Sequence, residues 1–581
     1  MKIPRGESLR FSFHVNRRLA ASALITIGCA SQAYAFELAG DSDVSVRWDN
    51  TFKYSVMQRL KDPSSALISP PTMPPVLPPA GNVAGTNFDD GDRNFKKGIV
   101  SNRVDWLSEL DVAYKGWAGF RLSGAAWYDS VYNRSNDNDS PATVNSASVP
   151  AGQFASATRN LMGRKAELLD AFVFAQGDIG GMASSGRFGK HTVLYGETLF
   201  FGSNGIAGGQ APVDAIKLLS VPGSQFKEIL RPVPQLSGQV QVTSNVSVGG
   251  YYQVKWERTR IPASGSYFSN YDPVDAGGEQ GYLFTGAPGF LGGPVNTITR
   301  ADDIKARNSG QGGVQLRLRP DGIDTEFGLY ATQYHDKTPQ FYVYPMSPPL
   351  PSIPLTYKLV FPENIRAYGA SFSTVLGSAS VAGEISFRRN TPLVSRLTLL
   401  DQAGALSADN DGNPFYAVGN SAHLNLSAIM SLSPTALWEG GTLLAEVGWN
   451  RRTSITKNPA SLDPNVDRDA WGFRFVFEPA YFQVLPGLDI TVPIGVGYNP
   501  KGKSSVVSAF NGGVHRGGDV SIGINGEYQK VWKLSAKYAR FLGSENVRTI
   551  PNDSPTAPLM SSFGQTFKDR AFLSFSVQRT F

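Results

Sequence analysis

Apolar and polar side chains alternate through most of the last twelve residues, Arg570 to Phe581. Leu573, Phe575, Val577 and Phe581 fall on one face of an extended chain, and Ser574, Ser576, Gln578 and Thr580 fall on the other. Successive side chains of a strand point to opposite faces, so such a segment buries one side and wets the other. A final strand that stops on an aromatic, here Phe581, predicts the closing strand of a bacterial outer-membrane β-barrel, with its apolar side in lipid.

The same period of two recurs along the chain. Val44, Val46, Trp48, Phe52, Tyr54 and Val56 share a face opposite Ser45, Arg47, Asp49, Thr51, Lys53 and Ser55. Val104, Trp106, Leu110, Val112 and Tyr114 alternate with Arg103, Asp105, Glu109 and Asp111. Charges on one face of such a strand must line an interior rather than meet lipid. Tight turns are predicted at Tyr114-Lys-Gly-Trp117, Pro320-Asp-Gly322, Gly377-Ser378, Leu485-Pro-Gly487 and Val531-Trp532. Long polar or proline-rich stretches separate these hairpins at 59–95, 133–160, 261–306, 339–363, 395–414, 456–466, 500–514 and 545–565. Short turns alternating with long loops match the two ends of an outer-membrane barrel. The pattern therefore predicts an all-β, antiparallel transmembrane β-barrel of roughly 16–18 strands.

Residues 194–236 break the pattern. Leu194-Tyr-Gly-Glu-Thr-Leu-Phe-Phe201, Ala211-Pro-Val-Asp214 and Val221-Pro-Gly-Ser-Gln-Phe-Lys227 are too rich in proline and glycine for a wall. They are also too apolar for a free loop. The expectation is a plug-like segment folded into the lumen.

The first 35 residues read as an export signal: Lys2, Arg5, Arg10, Arg17 and Arg18, then an apolar core from Leu19 to Ala30, then Ala33-Tyr-Ala35. The mature chain is expected to run from Phe36 to Phe581 as one barrel domain. Its only cysteine, Cys29, lies in the signal, which leaves no disulfide or thiolate metal site. The signal carries five Lys/Arg and one Glu, so its removal takes the formal charge from +6 to +2. That modest excess gives no reason to expect a nucleic acid partner. Beyond residue 35 no apolar run reaches the length of a membrane helix.

Candidate chemistry is sparse. His191, His335, His423 and His515 are accompanied by no G-x-S-x-G elbow, so no enzyme is expected, and no cofactor. Asp89-Asp-Gly-Asp92, Asn136-Asp-Asn-Asp-Ser140 and Ala408-Asp-Asn-Asp-Gly-Asn413 are acidic loop tracts. The third places Ser407 and Val418 where an EF-hand needs ligands, and all three read as solvated turns, so no metal is assigned. Arg103, Asp105, Glu109, Asp111, Asp170, Arg187, Tyr195, Glu197, Asp214 and Lys227 are the candidates for a polar track through the lumen and its plug. Arg121 and Asp129 share a face on the strand that follows the first four. Phe290, Phe341, Tyr342 and Tyr344, in aromatic and proline-rich loops, are candidates for an exposed surface that captures substrate.

Several stretches in fixed order resemble the proteobacterial outer-membrane proteins grouped as domain of unknown function 1302. They are Asn87-Phe-Asp-Asp-Gly-Asp-Arg-Asn-Phe95 with Ser101 to Asp111, Ala166 to Val173, Arg187-Phe-Gly-Lys190, and Tyr195-Gly-Glu-Thr-Leu-Phe-Phe201. Pro212-Val-Asp214, Pro222 to Lys227, and Asp467 to Tyr498 complete the set. The family usually has Trp-Gly-Glu-Ser where this chain has Tyr195-Gly-Glu-Thr198. The resemblance implies passage of hydrophobic or amphipathic small molecules, such as steroids, terpenes, alkanes or lipids, across the bacterial outer membrane. It also implies work alongside periplasmic lipid-handling proteins and inner-membrane transporters of the resistance-nodulation-division type. The surroundings would be outer-membrane lipid and lipopolysaccharide, with the C-terminal strand offered to the barrel assembly machinery. A general diffusion porin and a structural anchor for a lipid-transfer partner are the alternatives.

Overall fold

The computed structural model describes residues 36–37, 43–69, 86–221, 229–283, 296–344, 356–400, 402–546, 548–549 and 560–581. The expected signal, residues 1–35, lies outside them, as do Lys227 and Phe290.

Eighteen antiparallel strands pair in chain order and close into a barrel. The first nine are β1 (Val44–Arg59), β2 (Gly98–Tyr114), β3 (Ala118–Asp129), β4 (Arg164–Ile179), β5 (Met182–His191), β6 (Val233–Thr243), β7 (Val246–Gln253), β8 (Gln311–Leu318) and β9 (Thr325–Tyr334). There follow β10 (Ile365–Leu376), β11 (Ala379–Pro392), β12 (Val418–Ser431), β13 (Gly440–Lys457) and β14 (Asp469–Leu485). The last are β15 (Leu488–Thr491 continuing as Ile494–Lys501), β16 (Gly517–Tyr528), β17 (Trp532–Leu542) and β18 (Phe572–Thr580). β15 is interrupted at Val492-Pro493, where proline lacks the N–H that a ladder needs. Val492 instead donates to the carbonyl of Pro479 on β14 at 3.0 Å.

The ends of the chain make the seam. β18 pairs with β1 from Thr51 opposite Thr580 to Arg59 opposite Phe572. One residue further on, Asn50 and Phe581 exchange both backbone hydrogen bonds, at 3.0 and 2.8 Å. The predicted turns join consecutive strands, except that the last comprises Gln529–Val531 and Trp532 already belongs to β17.

The side chains sort as the alternation requires. Trp48, Phe52, Trp106, Phe188 and Phe575 are exposed on the outer surface, while Ser55, Arg59, Arg103 and Glu109 are buried inside. No helix among the described residues is long and apolar enough to cross a membrane, and the crossing is made by strands. The apolar outer band, the polar interior and the closed, even-stranded wall place the protein in the bacterial outer membrane.

The lumen is not filled evenly. Near the long-loop end the Arg59 and Arg103 side chains are 0% and 3% exposed, whereas near the short-turn end Arg47 and Asp111 are 67% and 38% exposed. At the long-loop end Phe95, Tyr132, Phe154, Tyr267 and Phe268 pack with Met57 and Phe572 of the wall into an apolar cluster beside the seam. A second sheet of five short strands lies among the loops: Gln280–Leu283, Asn296–Arg300, Thr356–Val360, Gln340–Tyr344 and Thr398–Leu399. Trp256, Val343, Tyr357, Leu359 and Phe361 form its core.

Candidate functional site: the lumen and its insert

The charged residues of β2 to β4 form two ion-pair groups on the lumen face. Arg103 pairs with Asp105 at 2.6 Å, and its guanidinium lies over the Trp127 ring at 4.8 Å. Arg121 of β3 is a hub, reaching Glu109 at 2.5 Å, Asp111 at 2.8 Å and Asp170 of β4 at 3.5 Å. Asp170 also accepts the Ser123 hydroxyl at 3.2 Å. Asp129 accepts from the Ser101 hydroxyl at 2.5 Å. Arg187 stands apart on β5, with its guanidinium 5.6 Å from the Phe172 ring.

The chain leaves β5 at His191 and re-enters the wall at Val233, the residue opposite His191 on the neighbouring strand. The wall therefore resumes inside the expected insert boundary of 236. Between these points residues 192–221 cross to the opposite wall, where β11, β12 and β13 hold them by the backbone. The Glu384 carboxylate of β11 accepts the N–H of Glu197 at 2.8 Å, the N–H of Ile206 at 2.9 Å and the Thr198 hydroxyl at 3.0 Å. Glu446 of β13 accepts the N–H of Phe201 at 3.0 Å and that of Phe200. Arg388 donates to the carbonyls of Ser203, Asn204 and Gly205 at 3.0, 2.8 and 2.7 Å. The Asn204 side chain donates to Asn425 at 2.5 Å and meets His423 at 3.0 Å and Asn450 at 3.1 Å.

Near its start the insert closes on itself, as the N–H of Tyr195 donates to the Gln210 side chain at 2.6 Å. The Tyr195 ring lies between Tyr251 and Tyr330, at 5.4 and 5.7 Å. Two glycines permit the path. Gly196 has φ +92°, and Gly209 lies flat on the Tyr334 ring, where a Cβ has no room. The Lys337 ammonium, beyond the end of β9, donates to the Gly209 carbonyl at 2.6 Å, and burial lowers its pKa to about 8. On the return path Asp214 caps the short helix Ala215–Ser220 and pairs with Arg260 at 2.7 Å. Arg260 also pairs with Glu167 of β4, which ties the insert to the wall where it begins.

The sequence candidates thus separate. Glu109, Asp111 and Asp170 come together at Arg121, while Arg103 and Asp105 pair with each other. Tyr195, Glu197 and Asp214 lie in the insert, where Glu197 meets the wall through its backbone. The anchors Glu384, Arg388, Glu446 and Asn204 escaped the sequence reading. The available signal was a lone carboxylate on the inward face of Val381-Ala-Gly-Glu384-Ile-Ser-Phe387, a row otherwise of small residues on that face.

The exposed capture surface needs correction. Tyr342 is fully buried and stacks on Tyr416 at 6.1 Å, and Phe341 packs between Tyr271 and Tyr357 at 5.1 and 6.1 Å. Tyr344 is half-buried, with the Lys358 ammonium 4.8 Å from its ring. These rings lie in short loop strands whose apolar faces cover one another, as burial of apolar area favours. The first acidic tract also differs from a solvated turn, since Asp89, Asp90 and Asp92 are all buried.

A closed eighteen-stranded barrel with a charged interior and a loop held against its far wall is an outer-membrane β-barrel. The chain belongs to the family described as protein of unknown function (DUF1302), whose model matches residues 16–581. No curated protein matches the sequence. Solved barrels similar to it include OpdK from Pseudomonas aeruginosa, at 9% identity and TM-score 0.36, covering 92% of this chain and 98% of that one. OccAB1 from Acinetobacter baumannii has 9% identity and TM-score 0.39 over 95% and 99%. OmpT from Vibrio cholerae has 8% identity and TM-score 0.32 over 93% and 99%. At these scores the assignment rests on this chain's own strand register.

Proposed function

We propose that this barrel passes hydrophobic or amphipathic small molecules across the outer membrane, with the insert as its constriction. The carrying observation is the chemistry of the insert. Glu384, Arg388 and Glu446 grip its backbone, which leaves apolar side chains to face the route. From Thr192 to Val221 it has three charged residues, Glu197, Asp214 and Lys217, and the last two lie at its far end. Leu194, Leu199 and Phe200 are partly exposed within the lumen. A constriction of this composition resists ions, which lose water on entering it, more than it resists apolar solutes. A periplasmic lipid-transfer protein and an inner-membrane transporter would extend the route beyond the barrel. The exposed charges at the short-turn end favour a second reading, a general diffusion porin.

Planar-bilayer conductance of the refolded chain from Phe36 onward separates the two. His191 and Val233 are ladder partners, so a short glycine turn can replace residues 194–230. A closed parent with an open deletion, together with faster entry of an apolar dye into liposomes carrying the parent, is the expected result. A steadily open parent would overturn the constriction and leave the porin.

A further inference from the structure

We propose that Asp89, Asp90 and Asp272 form a calcium site that clamps the outer loops together beside the barrel seam. One carboxylate oxygen from each lies within 4.8 Å of the others. Calcium binds oxygen at about 2.3–2.6 Å, so this spacing suits three ligands of one ion. Asp89 and Asp272 are 0% exposed and Asp90 is 4% exposed.

A second observation points to a ligand. Asp89 spends one oxygen on Ser69 and Arg93, and its other oxygen has no hydrogen-bond partner although the side chain is wholly buried. Asp272 does the same: one oxygen accepts the N–H of Asp90 at 3.1 Å, and the other has no partner. An orphaned, fully buried carboxylate oxygen is costly, and a hard cation is the partner that suits it. The hydroxyls of Ser266 and Ser269 are also buried without partners, on the segment that packs against Gly91.

Charge balance agrees. Five buried carboxylates, Asp89, Asp90, Asp92, Asp272 and Asp569, share this region with three buried guanidiniums, Arg59, Arg93 and Arg570. The pairs are Arg59 with Asp92 at 2.5 Å and Asp569 at 2.9 Å, Arg93 with Asp89 at 3.0 Å, and Arg570 with Asp92 at 3.7 Å. Asp139, at the exposed end of Arg93, stays in solvent. Two negative charges are left over, the complement of one divalent ion.

The ligands come from different loops. Asp89 and Asp90 follow β1, Asp272 follows β7, and Asp90 is held by Asn138 at 3.2 Å and the Asn145 N–H at 2.8 Å in the loop after β3. Separate loops make an adaptable cage, which suits calcium better than the rigid octahedron magnesium demands.

The test is titration calorimetry of calcium chloride into the refolded, chelator-treated mature barrel, with trypsin digestion of the outer loops in parallel. One calcium per chain is expected, bound at least about tenfold more tightly than magnesium, with slower loop cleavage. Asp272→Asn should lose the binding and make cleavage insensitive to chelator. If that variant fails to give a heat-modifiable folded barrel, Asp90→Asn serves instead. No calcium heat in the parent, equal magnesium binding, or binding retained in both variants would each overturn the assignment.

Discussion

The backbone N–H of Ile206 donates to the Glu384 carboxylate at 2.9 Å across 178 residues of sequence. That bond, with those from Glu197 and Thr198 to the same side chain, fastens the insert to the far wall. Hydrogen bonds to a charged acceptor contribute about 1.5–3 kcal/mol each, and buried donors left without one are penalised. Glu384→Ala is therefore expected to loosen the insert and give larger, longer openings in single-channel recordings, with Glu384→Gln intermediate. A conductance trace identical to the parent's would show that this grip does not set the closed state.

Arg121 is the shared partner of Glu109, Asp111 and Asp170 and offsets one of their three negative charges. Its side chain is 26% exposed and that of Glu109 only 8%, so its loss leaves a buried carboxylate without this partner and costs stability. Its loss also makes this stretch of the lumen more negative by one charge. In the insert-deleted barrel, Arg121→Ala should shift the reversal potential under a potassium chloride gradient towards cation preference. An unmoved reversal potential would mean that ions pass elsewhere.

Phe581 closes the seam through two backbone bonds to Asn50, an edge contact with Phe52 at 6.0 Å and the Arg579 guanidinium 4.5 Å above its ring. An aromatic pair contributes about 0.5–1.5 kcal/mol beyond its buried area. Deleting Phe581 should lower the fraction of heat-modifiable barrel on refolding and lower the urea midpoint of what folds. Unchanged yield and midpoint would remove the terminal ring from the closure.

Lys337 supplies a pH test. Burial lowers its folded pKa to about 8, below the ordinary 10.5, so the unfolded chain holds the proton more tightly. The penalty of burying the charge is present in full below pH 8. It is relieved as pH rises from 8 towards 10.5, so stability should climb over that window. Lys337→Met should flatten the climb in denaturant titrations followed by tryptophan fluorescence. A slope that survives the substitution must come from another group.

The barrel was legible because lipid outside and water inside impose opposite demands on alternate residues, as at Val104 and Arg103. The anchors were not. The lone inward carboxylate at Glu384 was the one local hint, and it does not say that the partner arrives from the loop after β5, since a polar inward residue reads the same with or without one. The loops misled for a related reason. Phe341 and Tyr342 look like an exposed greasy surface until the strands that cover them, more than fifty residues apart along the chain in the case of Thr398–Leu399, are in place.

The uneven filling of the lumen has an electrical consequence. Solution reaches Arg47 and Asp111 but not Arg59 and Arg103, so an applied potential travels inward through the wet half almost undiminished. With the proposed constriction in place, it falls mainly across the insert and the packed loops above it. A unit charge crossing that constriction would feel most of the roughly 2.3 kcal/mol per 100 mV, so the proposed gate would sit where the field is steepest.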